Sequence, residues 1–201
     1  TKQAQVRKGQ INKMNLKSMI PAYIGLNLFG SAILFFMLLE GYLAYGAVLA
    51  FNEASKIILV IILASISLTL FGVLLTYLTP EKYIDEMNKS YQDSSVLEII
   101  SFMLLAALFE ELLFRGIIQN VLFIIVDHRW LAILLTSFLF VAFHVQYYKK
   151  PLMLLNITVP SLVFGWCYFY TDNLLVPIIV HFILNVSMTL LFKFNKITLK
   201  A

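Results

Sequence analysis

Six apolar stretches can be counted along the chain, each of the length, about 20 residues, that crosses a ~30 Å hydrocarbon core as a helix. The first lies within Ile20–Phe51. It is too long for one upright helix, so it is tilted, extended beyond the lipid, or broken near Gly41 or Gly46. The second is Ile57–Leu78. Pro80 and the polar run PEKYIDEMNKSYQDSS then form the largest internal loop, and the third span starts near Val96. A weak break at VDHRW, Val126–Trp130, separates it from the fourth, Leu131–Tyr147. Pro151 opens the fifth, which reaches about Tyr170, and the last runs from Leu174 to about Phe192. Repeats, linkers and low-complexity segments are absent from the sequence. The pattern predicts an all-α fold, a polytopic membrane helix bundle of about six transmembrane helices in a single integral domain over residues 1–201.

Composition fixes the solvent. Of 201 residues, 61% are hydrophobic and 13% charged, and the mean hydropathy of +0.87 is far above that of a soluble domain. Orientation follows from the lysines and arginines. With six spans both termini share a side, and that side collects Lys2, Arg7, Lys8, Lys13, Lys17, Lys82, Lys89, Lys149, Lys150, Lys193, Lys196 and Lys200. The other side has Lys56 and Arg129. Twelve against two predicts cytoplasmic termini. The formal charge of +4 and pI near 9.1 therefore reflect topology and attraction to anionic lipid, not nucleic-acid binding. The single cysteine, Cys167, sits in the apolar run FGWCYFY and is expected to pack.

Against this background, FEELLFRG, Phe109 to Gly116, places three charges inside the third span. Each costs at least ~2.5–3.5 kcal/mol at the bilayer centre unless it is compensated. Glu111 and Arg115 are i, i+4 partners on one helix face and can cancel. Glu110 lies about 140° round the helix from Arg115. The expectation is a division of labour: Glu111 and Arg115 form a structural pair, while Glu110 is available as a general base toward water. His144 lies in the fourth span, four residues after Phe140, whose ring should stand beside the imidazole. His181 and Asn185 share a face of the sixth. Two histidines, a glutamate and an asparagine in three spans each need a polar partner, and the natural solution is that they meet. Lone buried histidines are more often structural, and a buried ion pair pinning two helices is the bland reading of the glutamates.

The order EExxxR, then FxxxH, then HxxxN, each on its own membrane helix, resembles the CAAX-prenyl endopeptidase and bacteriocin-processing family of intramembrane proteases, also called Abi. Glu110, Glu111 and Arg115 match the first motif, Phe140 and His144 the second, His181 and Asn185 the third. The likeness covers about residues 96–186, and the first two spans carry no motif of the family. The resemblance implies an endopeptidase acting on a membrane-anchored or membrane-proximal peptide or protein, with Glu110 and His144 activating a water and His181 and Asn185 holding the oxyanion. It also implies an alternative in which zinc is held by Glu110, His144, His181 and Asn185. The zinc-peptidase signature HExxH is absent and asparagine is an uncommon zinc ligand, which favours a metal-free glutamate mechanism. The size of the chain favours the bacterial kind, in the plasma membrane, linked to bacteriocin maturation, self-immunity or peptide signals. Two rival functions stand beside the protease: an inactive scaffold or immunity protein, and a proton-coupled transporter with a helix broken at Asn156 and Pro160.

Overall fold

The computed structural model describes residues 16–80, 91 and 94–197. Most of the polar loop expected after Pro80, and Lys2, Arg7, Lys8, Lys13, Lys82, Lys89 and Lys200 of the charge count, lie outside the described residues. Helix α1 spans Leu16–Leu39 and α2 Ala54–Leu78. Helix α3, Val96–Glu111, continues without interruption into a π-helical segment, Leu112–Gln119, and then α4, Asn120–Val126. Helices α5, Arg129–Ala142, α6, Pro151–Thr171, and α7, Leu175–Lys193, complete an all-α bundle. Helices α1, α2, α6 and α7 are each long and apolar enough to cross a membrane, so the chain is an integral membrane protein. Their outward faces are unpaired with protein: Leu28, Phe29, Phe35 and Phe36 on α1 and Ile58, Leu59, Ile62, Leu63, Ile66 and Leu70 on α2 are exposed. This is the arrangement of a bundle whose surroundings are as apolar as its interior.

The long first stretch is broken. Helix α1 ends at Leu39, and Gly41 takes a positive φ of 74°, a conformation that costs glycine nothing. Residues 40–53 then fold back over one end of the bundle. Leu174 N–H donates to Val48 O (2.8 Å) and Ala50 N–H to Asp172 O (2.9 Å), while the Asn173 amide reaches Ala50 O at 2.7 Å. The break expected at VDHRW is present too. Asp127 closes α4 with a left-handed φ of 48°, and the His128 ring accepts from Leu131 N–H to start α5. Ser95 and Glu98 form a capping box at the start of α3.

Two expectations need correction. The fourth span does not run helically to Tyr147: α5 stops at Ala142, and His144 stands just before a short 3₁₀ turn over Val145–Tyr147. The carbonyls freed at this helix end are taken by side chains. His144 Nδ1 lies 2.7 Å from Phe140 O, and Tyr148 O–H donates to Ala142 O at 2.6 Å, which offers the last turn an alternative to continuing. The second correction concerns Pro160. Helix α6 runs through it from Pro151 to Thr171, so the broken helix of the transporter reading is not present. The carbonyl that a helical proline leaves without its N–H partner is tolerable where the surrounding bundle accommodates it.

Candidate active site

The third span carries its charges on a helix that changes pitch immediately after the two glutamates, so that Arg115 sits in the π-helical segment. Five-residue turns free carbonyls, and the Asn120 amide supplies the missing donors, to Arg115 O (3.1 Å) and Gly116 O (2.8 Å). Gly116 permits close packing here. A Cβ at this position would stand 3.1 Å from the Leu174 side chain and 3.5 Å from that of Leu34. The segment is thus held between Leu34 of α1 and Leu174, the residue that precedes α7.

Glu111 and Arg115 are both fully buried, and the Arg115 guanidinium donates from NH1 to Glu111 Oε1 at 3.2 Å. Its other terminal nitrogen donates to Ser161 O and Ser161 Oγ on α6, both at 2.8 Å. Phe140 and Phe164 face the guanidinium from 5.3 and 5.4 Å. The pair expected from the i, i+4 spacing is therefore formed, and it ties α3 to α6. It does more than cancel charge. His181 Nδ1 on α7 lies 2.7 Å from the same Glu111 Oε1, and Phe164 stacks on the imidazole at 4.7 Å. A carboxylate only accepts, so Nδ1 carries the hydrogen and Nε2 faces away from Glu111. Glu111 orients His181 as well as neutralising Arg115, and the clean separation of a structural pair from the imidazoles does not hold.

Glu110 occupies different ground. Its side chain keeps 23% of its surface exposed where that of Glu111 keeps none, and its Oε2 stands 3.9 Å from His181 Nε2. It lines a cavity of about 410 Å³ that His144, His181 and Asn185 line as well. All four polar residues singled out in the sequence, from α3, α7 and the turn after α5, thus face one space. His144 reaches it from beyond its helix, yet the i, i+4 relation to Phe140 survives, with ring centroids 4.5 Å apart. Because Phe140 O can only accept, His144 donates from Nδ1 and leaves Nε2 as a lone-pair acceptor. Phe114 packs edge-on against Phe140 at 4.9 Å and keeps that wall rigid. The cavity extends from this polar end past Thr76, Thr79, Tyr91 and Phe192 toward the bundle end that holds Lys149, Lys150 and Lys193. Met19, Met103, Met153 and Met188 also line it. Unbranched thioether side chains adapt to irregular apolar guests.

A histidine whose Nδ1 is held by an oxygen suits metal ligation as well as proton transfer. Among the described residues, however, no three His, Cys, Asp or Glu side chains converge closely enough to hold a metal ion. The donor set in this arrangement does not fit the zinc site that the resemblance allowed. Cys167 is buried and packs with Phe164, Val176 and Val180, as its apolar neighbours predicted.

Ser161, Phe164 and Tyr23 were not singled out from the sequence. Ser161 and Phe164 sit on an apolar helix with no polar run around them, and only the packing of α6 on the π-helical segment brings them to Arg115 and His181.

The sequence profile of a family described as "Rce1-like: Type II CAAX prenyl endopeptidase Rce1-like" matches residues 92–187, which hold all three motifs. Over these residues the chain is similar to the Rce1-like family. Two curated relatives are bacterial. "Uncharacterized protein YpbD" of Bacillus subtilis (strain 168) is 33% identical over 110 residues, 55% of this chain and 53% of the relative. "Uncharacterized 24.3 kDa protein" of Escherichia coli is 36% identical over 104 residues, 47% of this chain and 46% of the relative. The chain spans about half the length of the curated relatives it matches. No solved structure matches it. The Rce1-like match begins just before α3 and ends on α7, leaving α1 and α2 outside the shared region.

Proposed function

We propose that this protein is an intramembrane endopeptidase that hydrolyses a peptide bond in a membrane-associated protein or peptide. Glu110 and His144 activate a water, and His181 and Asn185 hold the oxyanion. The observation that carries the reading is that these four side chains, from three separate elements, line one cavity in an otherwise apolar bundle, within a region that matches a prenyl endopeptidase family. Burying four such groups together is costly unless the space between them is used.

The chemistry follows from which atoms are free. His144 Nε2 accepts a hydrogen bond from the water, while Glu110 takes its other proton as the water oxygen adds to the scissile carbonyl carbon. The Asn185 amide donates to the developing oxyanion without any change of protonation. His181 Nε2 donates only as the imidazolium, with Glu111 at Nδ1 and Glu110 on the far side. When the tetrahedral carbon collapses the C–N bond breaks, and the amine nitrogen takes the proton from Glu110. Donors fixed at the oxyanion commonly supply much of the rate in acyl hydrolysis. The lysine count favours the cytoplasmic side for the end of the cavity at Thr79, Tyr91 and Phe192, and in this reading a substrate enters from there with its apolar part along the methionine-lined wall.

The test is turnover of a prenylated, CAAX-terminated fluorogenic peptide by the purified protein in proteoliposomes, beside Glu110→Gln. Cleavage by the wild type and none by the variant is expected. A folded wild-type protein that leaves this peptide and unprenylated membrane-proximal peptides intact would turn the assignment toward a scaffold or immunity role.

A further inference from the structure

The cavity has a polar wall that the family motifs do not account for. Helix α1 lies outside the matched residues 92–187, yet Tyr23 on it lines the same space as Glu110 and His181. Its position is fixed from two directions. The ring packs edge-on against Phe102 (5.2 Å) and against Phe109 (6.1 Å), the residue next to Glu110. One turn along, the buried Asn27 amide donates both to Tyr23 O (2.8 Å) and to Leu105 O on α3 (2.9 Å). That amide staples α1 to α3 a little over one turn before the glutamates, and Gly30 packs beside Leu112. An apolar helix facing only lipid and packing would have no use for an interhelical amide clamp beside a phenol. The phenol is half-buried and lines the cavity that Glu110 also lines.

We propose that Tyr23 is a positioning residue of the active site, its phenolic O–H donating to the Glu110 carboxylate and holding it toward the attacking water. This rests on the reading of Glu110 as the base. It makes α1 part of the catalytic apparatus although the family signature does not reach it. A phenol suits this role, since it supplies one directed donor from a rigid ring whose body is at home in an apolar wall.

Tyr23→Phe removes the donor and keeps the ring. With the prenylated peptide in proteoliposomes, kcat should fall about tenfold, as expected for loss of one hydrogen bond to a charged group. KM should stay within about twofold and the melting temperature within about 2 °C of the wild type. Unchanged kcat overturns the proposal, and so does a loss of kcat that a matching fall in melting temperature explains. A second measurement needs no substrate. The tyrosine C–OH infrared band that disappears in Tyr23→Phe should shift in Glu110→Gln, because the acceptor of its hydrogen bond has changed; an unmoved band overturns the proposal. Failure of Glu110→Gln to abolish turnover would instead sink the assignment of the base, so the two failures are told apart.

Discussion

Glu110 and Glu111 are neighbours in sequence and live in different solvents. Glu111 is sealed: Arg115, itself held by Ser161, and His181 close around it, and its side chain has no exposed surface. Glu110 faces a cavity lined by Tyr23, His144 and Asn185. One helical step of about 100° separates the two environments. The contrast shows how a membrane helix carries two carboxylates at little net cost. One is neutralised by an arginine a turn away, and the other is set at a cavity where water can reach it. The sealed glutamate still serves the open one, because its Oε1 fixes the ring that faces Glu110.

That contrast can be broken most severely at the sealed side. Glu111→Gln leaves Arg115 buried without its counter-charge and gives His181 Nδ1 a neutral amide in place of the carboxylate. A stability loss of about 3–5 kcal/mol is expected, read as a lower melting temperature in detergent, together with reduced turnover. Equal stability losses from Glu110→Gln and Glu111→Gln would mean that the two environments have been assigned the wrong way round. On the open side, Asn185→Ala should leave folding intact and lower turnover about 10²–10³-fold, the loss commonly seen for one oxyanion donor. Wild-type kcat in that variant would exclude Asn185 from the oxyanion.

Smaller effects sharpen the comparison. Ser161→Ala removes one of the two Ser161 oxygens to which the Arg115 guanidinium donates and leaves the Ser161 carbonyl in place. The expected cost is about 1.5 kcal/mol, at the low end for a hydrogen bond to a charge, visible in thermal unfolding. No change would mean that the backbone oxygen alone satisfies the guanidinium. The smallest expected effect is that of chelation. Because the donor set does not converge on a metal, prolonged treatment with a strong chelator should leave turnover within about twofold. Loss of activity restored by zinc would require the cavity side chains to rearrange around a metal.

Much of this was legible in the sequence. The spans were, since lipid demands helices and apolar length marks them. The i, i+4 pairs Glu111–Arg115 and Phe140–His144 were too, because spacing alone decides which side chains share a face. The end of α5 before His144 was not, for it depends on His144 and Tyr148 turning back to cap freed carbonyls. The second bond of Glu111 was hidden for another reason. Its partner His181 is 70 residues away, and no local spacing encodes which of two adjacent glutamates faces α7. Tyr23 and Ser161 carry no local signal, since one tyrosine or serine in an apolar run reads as ordinary packing until neighbouring helices are in place.

Catalysis in this scheme depends on Glu110 taking the proton from water. The most direct measurement is turnover of the prenylated CAAX-terminated peptide by Glu110→Gln in proteoliposomes, with its melting temperature recorded alongside. The expected result is no detectable cleavage by a protein that melts within about 2 °C of the wild type. Near-normal turnover by the folded Glu110→Gln protein would contradict the account and leave the site without its base.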